Sequence, residues 1–178
     1  MEIILAENHG FCYGVKRAVE MANEAADSDG KSYTLGPIIH NPQVVGRLES
    51  KGVSPIQEVS DIDEGTMIIR SHGVGPAIYE EAEEKGLNIL DATCPHVKKA
   101  QQDAKSVIED GMTLVILGEK NHPEVKSINL WANNKGIIIE DEEFAKNLQV
   151  VEKMGVVVQT TFSQFKFNSI IEILEKKS

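Results

Sequence analysis

One seven-residue pattern occurs twice in this chain, and that duplication constrains its architecture more than any other feature. Cys12-Tyr13-Gly14-Val15-Lys16-Arg17-Ala18 and Cys94-Pro95-His96-Val97-Lys98-Lys99-Ala100 both read Cys-x-x-Val-Lys, then a basic residue, then Ala; they contain the only two cysteines. The agreement continues downstream. Leu35-Gly36-x-x-x-His40 answers Leu117-Gly118-x-x-x-His122, and each histidine follows its cysteine by 28 positions, from 12 to 40 and from 94 to 122. Ile68-Ile69-Arg70-Ser71-His72 then answers Val157-Val158-Gln159-Thr160-Thr161. A fixed internal period of this kind specifies repeated supersecondary units.

Within each cycle, short apolar runs alternate with amphipathic helical patterns. Strands are expected over Ile3–Ala6, Ser32–Leu35, Ser54–Ile56 and Thr66–Ser71, with helices over Gly14–Ala26, Gln43–Lys51 and Pro76–Lys85. The second cycle predicts strands over Asn88–Ala92, Thr113–Leu117, Gly136–Ile139 and Gly155–Gln159, and helices over Pro95–Asp110, Pro123–Ala132 and Phe165–Lys176. Apolar, β-branched strands between amphipathic helices indicate parallel sheets covered on both faces. The expected fold is therefore α/β: tandem pseudo-repeated units with small parallel sheets, the first over 1–87 and the second over 88–178. Polar motif residues fall at the carboxyl ends of strands, the edge where open α/β sheets bind ligands. After the last helix the pattern calls for another strand and another cysteine, and the sequence stops at Ser178.

At 178 residues the chain can bury a real core. Its net charge of -10 and pI near 5.0 argue against nucleic acid or an anionic membrane as partner. The acidic runs Glu80–Glu84 and Glu140–Glu143 read as solvated faces. The start carries no basic region followed by a long apolar stretch, and no apolar run approaches the ~20 residues of a membrane span. A cytoplasmic location is expected, which disfavours a structural disulfide and favours metal or catalytic cysteines.

Both cysteines open a helix directly after an apolar run or loop, where free backbone N–H groups and the helix dipole favour a thiolate. Two thiolates do not complete a zinc site or an iron–sulfur cluster. Either histidines join them or a ligand lies elsewhere, so zinc hydrolysis through Cys12, Cys94 and a histidine stands as one alternative. His40, His72 and His122 lie just past predicted strands, an arrangement suited to an anion such as phosphate. A cluster-free diphosphate-binding module is a second alternative. Glu124 reads equally as a proton donor or as an acid complementing a helix dipole. Thr160 and Thr161 read as helix caps or ligand contacts, and His9 and His96 as surface or outer-sphere residues. The Gly-x-Gly-x-x-Gly order of a dinucleotide fingerprint is absent around Cys12, which excludes NAD.

Six motifs, in this order, strongly resemble the 4-hydroxy-3-methylbut-2-enyl diphosphate reductase family: Gly10-Phe11-Cys12-x-Gly14-Val15, Ile39-His40-Asn41, Ser71-His72-Gly73-Val74, Asp91-Ala92-Thr93-Cys94-Pro95, His122-Pro123-Glu124-Val125 and Gln159-Thr160-Thr161. The resemblance implies an iron–sulfur reductase of the non-mevalonate isoprenoid pathway, built as a three-lobed trefoil around a central 4Fe-4S cluster. It implies that Cys12 and Cys94 are two of three cluster ligands and that His40, His72 and His122 face the diphosphate. Glu124 would deliver protons, with Thr160, and Thr161 after it, beside the substrate. An external electron donor such as ferredoxin or flavodoxin is implied as well. The family's third lobe, which supplies a third cysteine and a further Ser-x-Asn element, is expected to have no counterpart in this sequence. The expectation is therefore two lobes of such an enzyme, inactive alone.

Overall fold

The computed structural model describes residues 3–7, 9–28 and 30–177. Its first helix, α1, spans Tyr13–Ala26, followed by β1 (Ser32–Leu35), α2 (Pro42–Ser50) and β2 (Val53–Ile56). A single 3-10 turn at Val59–Asp61 leads to β3 (Thr66–Ile69), α3 (Pro76–Glu84) and β4 (Asn88–Asp91). Then come α4 (Pro95–Glu109), β5 (Thr113–Leu117), α5 (Pro123–Trp131), β6 (Ile137–Ile139), α6 (Glu142–Asn147), β7 (Met154–Val158) and α7 (Gln164–Leu174). Two parallel sheets result, with strand orders β2-β1-β3-β4 and β6-β5-β7. The expected α/β architecture with small parallel sheets is the one observed.

Most strand positions are apolar because both faces of each sheet are covered. Ile68 packs with Ala18 and Ala22 of α1, while its neighbours Met67 and Ile69 turn to Ala82 of α3 and to Leu87. In the second sheet Leu114 and Ile116 meet Ala104 of α4 and Ile128 of α5. Val115 and Leu117 instead meet Ala145 of α6 and Ile170 of α7. Side chains alternate across a strand, so two-sided burial leaves little place for polar groups; Ser32 and Thr34 of β1 are buried exceptions, and Ser32 Oγ donates to Ala25 O at 3.3 Å.

Three expectations need correction. Ile3–Ala6 forms no strand among the described residues, and Ile3, Ile4 and Leu5 are 77%, 83% and 76% exposed. Apolar content predicts a strand only if a neighbour is present to pair with it, and no described strand lies beside this segment. The strand at 88, read as opening the second cycle, hydrogen-bonds in parallel to β3 of the first sheet, with Ile68 opposite Leu90. The second sheet therefore starts at β5. Nor is the run Glu140–Glu143 merely a solvated face. Asp141 caps α6, accepting from the N–H groups of Glu143 (2.9 Å) and Phe144 (3.1 Å), and Glu140 accepts from Lys120 N–H at 2.8 Å. The run thus starts a helix that the sequence reading lacks.

The sheets are locked together at the base of the site. Trp131 Nε1 donates to Val74 O at 2.9 Å, joining α5 to the loop after β3. Among the described residues no helix is long and apolar enough to cross a membrane.

Candidate functional site

His40, His72 and His122 leave three different strand-to-helix connections and meet. The ring centroids of His40 and His72 are 5.0 Å apart, and those of His72 and His122 are 5.4 Å apart and nearly perpendicular. His72 is the middle ring and half-buried, and its pKa is pulled down to about 4. Burial is the main cause, followed by the positive field of Arg70, His40 and His122. His72 is thus neutral at pH 7, with its buried Nδ1 unpaired among the described groups. His122 occupies the N-cap of α5, where Nδ1 accepts from Glu124 N–H at 3.2 Å. In a neutral ring this leaves Nε2 as the donor. Asn41, next to His40, caps α2 through a 3.1 Å bond from Val44 N–H. A cavity of about 240 Å3 opens here, walled by Phe11, Val15, Ile39, His40, Ser71 and His72.

Glu124 is 2% exposed yet charged by type, and Thr160 satisfies it. Thr160 N–H donates to Oε1 at 2.6 Å and its hydroxyl donates to Oε2 at 2.8 Å. Two bonds of this length hold the Glu124 carboxyl at a fixed orientation. Thr160 itself is exposed, so its hydroxyl stands between the buried carboxylate and the open side. Thr161 accepts from Gln159 Nε2 at 2.8 Å. Neither threonine caps α7, whose N-cap is Ser163.

Cys12 and Cys94 are the N-cap residues of α1 and α4, and both are free thiols, the first exposed and the second half-buried. The two helix starts adjoin. A Cβ on Gly14 would stand 2.5 Å from Cys94 Sγ, and Arg17 Nη1 donates to Thr93 O at 3.3 Å. Glycine at 14 is therefore required for the approach. Among the described residues no group of three or more His, Cys, Asp or Glu is arranged to hold a metal ion. The donor set present is two thiols at neighbouring helix starts, which fits part of an iron–sulfur ligand set and leaves at least one position to be filled. His9 and His96 are exposed and stay apart from the ring trio.

Four buried polar residues frame this site, and two of them, Gln101 and Ser127, fall outside every motif read from the sequence. Gln101 Nε2 donates to Ser127 Oγ at 2.5 Å, and both side chains are buried with Thr93. This patch receives Gly73, at φ +71°, where a Cβ would collide with the Gln101 amide. The loop carrying His72 is thereby seated on α4 and α5. Gln159 is the fourth: its Oε1 accepts from Glu119 N–H at 2.9 Å, and a Cβ on Gly118 would meet that oxygen at 2.8 Å. The repeated Leu-Gly dipeptide was the available clue, since a glycine there marks a close approach. Asp91 completes the frame. Burial acts to raise its pKa, but hydrogen bonds from Lys98 (2.6 Å) and Thr93 hold it below the usual carboxylate value.

Residues 3–178 match the family model described as LytB protein. A 4-hydroxy-3-methylbut-2-enyl diphosphate reductase from Geotalea uraniireducens is 49% identical over 97% of this chain and 61% of its own length. One of the same name from Geobacter metallireducens is 49% identical over 99% of the chain and 63% of its own length. A solved structure of (E)-4-hydroxy-3-methyl-but-2-enyl diphosphate reductase superposes with a TM-score of 0.87 at 44% identity, covering 98% of this chain and 64% of that one. A corresponding reductase structure from Plasmodium falciparum gives 0.90 at 31% identity, over 96% and 55%. The chain thus spans about three-fifths of the length of the curated relatives it matches. With the model matching nearly every residue and the relatives sharing almost half, the chain belongs to the LytB protein family.

Proposed function

We propose that this chain provides two lobes of a reductase that converts 4-hydroxy-3-methylbut-2-enyl diphosphate to isopentenyl and dimethylallyl diphosphate. One observation carries the reading: His72 lies between His40 and His122, and the bond from Glu124 N–H to His122 joins this trio to the Glu124–Thr160 pair. The three imidazoles bind the diphosphate, with His72 supplying a neutral N–H and α2 and α5 starting beside it. Cys12 and Cys94 are two ligands of a 4Fe-4S cluster, and the third thiolate comes from polypeptide outside these 178 residues. When bound, that cluster supplies two electrons, passed from an external donor such as ferredoxin or flavodoxin, and a Lewis-acidic iron for the hydroxyl.

The remaining chemistry falls to side chains of this chain. The allylic C–O bond breaks as two electrons enter, and the departing oxygen takes a proton and leaves as water. A second proton goes to the allylic carbon skeleton. Glu124 is too enclosed to reach the leaving oxygen directly. The exposed Thr160 hydroxyl relays: it gives its proton to the oxygen and takes one from a protonated Glu124. Phe11, Val15 and Ile39 keep water from the hydrocarbon part. The absence of a complete ligand set among the described residues favours a second reading, a diphosphate-binding module that works without metal.

Calorimetry with 4-hydroxy-3-methylbut-2-enyl diphosphate tests both. One site per chain is expected, weakened at least tenfold by His40→Ala with His122→Ala. No heat of binding contradicts the placement of the diphosphate. Binding that is unchanged by iron and sulfide, with no iron taken up by the protein, supports the module instead.

A further inference from the structure

A second cleft, of about 340 Å3, lies at the ends of β1 and β3 against the start of α5, and it shares no lining residue with the histidine cavity. Arg70 forms its floor. The Arg70 Nε atom is buried without a hydrogen-bond partner, and among the described residues the guanidinium makes neither a side-chain hydrogen bond nor an ion pair. A partly desolvated guanidinium without a partner is costly, because its charge persists at any ordinary pH. The repeat makes this more informative. Gln159 is the counterpart of Arg70, and the glycines before them, Gly36 and Gly118, press on them alike, at 2.9 and 2.8 Å from a notional Cβ. Gln159 is satisfied by the chain itself, through Glu119 N–H and the Thr161 hydroxyl. Arg70 has no such partners.

The surroundings indicate what would complete it. Although the chain is acidic, no Asp or Glu among the described residues lines the cleft. Lys126 does, exposed and unpaired among the described residues, with the amides of Gln57 and Asn121 at the rim. Ser127 also contributes, and much of the remaining wall is apolar, including Val74, Ile78 and Leu130, the last 42% exposed. We infer that this cleft binds a small amphiphilic oxyanion, its phosphate or carboxylate head between Arg70 and Lys126 and a short hydrocarbon tail against Val74, Ile78 and Leu130. This ligand is additional to the diphosphate at the histidines.

Nitrogen-15 NMR of the whole chain tests the site, with monobutyl phosphate as probe and butyrate, inorganic phosphate and butanol as comparisons. Saturable shifts of Arg70 Nε–H and the Gly36 and Gly73 amides are expected, with Kd on the order of 1 mM. Arg70→Gln should abolish them. Lys126→Gln, at an exposed position where folding is not at risk, should weaken binding several-fold. His40→Ala with His122→Ala should leave the shifts in place. Butyrate matching butyl phosphate would assign a carboxylate head, and weaker butyrate a phosphate one. The inference fails if no shift saturates, if the histidine double variant removes the shifts, or if Lys126→Gln changes nothing. Equal affinity for inorganic and butyl phosphate would remove the hydrocarbon part.

Discussion

Thr160 donates both its backbone N–H and its hydroxyl to Glu124, one to each carboxylate oxygen, at 2.6 and 2.8 Å. A buried acid held this way has only one polar exit, the hydroxyl. In the proposed reductase, Glu124→Gln is expected to lower turnover about 100- to 10,000-fold, the usual size of a lost general acid. Thr160→Val should produce a comparable loss, while Thr160→Ser, which keeps the hydroxyl, should retain most activity. Anaerobic substrate consumption with a reduced dye reads all three. Full activity in Thr160→Val would eliminate the relay.

His72 makes stability pH-dependent in a definite direction. Its folded pKa of about 4 lies below the unfolded value of about 6.5, so between them the unfolded chain binds more protons. Stability is fully present above 6.5 and is lost as pH falls toward 4. Below that, Asp91, held low by Lys98 and Thr93 against the effect of burial, adds its own loss as it protonates. Urea unfolding at pH 7 and pH 5 should show a drop that His72→Gln largely removes. Diphosphate binding should take up protons in the same window, because the anion favours the imidazolium.

Gly14 lies inside α1, where replacement by alanine ordinarily stabilises a helix by roughly 0.5–1 kcal/mol. Here the new methyl would press on Cys94 Sγ. Gly14→Ala is therefore expected to destabilise, by about 1–3 kcal/mol as overpacking does. It should also quicken the reaction of Cys94 with a thiol reagent. Thermal unfolding with thiol labelling of a Cys12→Ser background checks both, and a raised Tm would show that the helix starts are looser than described.

Periodicity and repetition made most of the fold legible, because both are one-dimensional signals. β1 and β5 fall where the apolar runs place them, and α3 and α4 start at Pro76 and Pro95. Pairing partners are not one-dimensional, which is why Ile3–Ala6 was read as a strand and β4 as a member of the second sheet. The same limit applied at the site. Its cysteines and histidines stand out by chemistry and spacing, whereas Gln101, Ser127 and Gln159 act by filling and satisfying buried space that only the packed chain defines. Arg70 was visible as a repeat position, but its lack of a partner was not.

In the proposed reductase Cys12 and Cys94 act together on one iron–sulfur cluster. Anaerobic reconstitution with iron, sulfide and excess small thiol, to fill the open coordination position, tests it directly. Bound iron with a sulfide-to-iron absorbance band is expected, lost equally in Cys12→Ser and Cys94→Ser. No iron uptake, or uptake that survives either substitution, would contradict it.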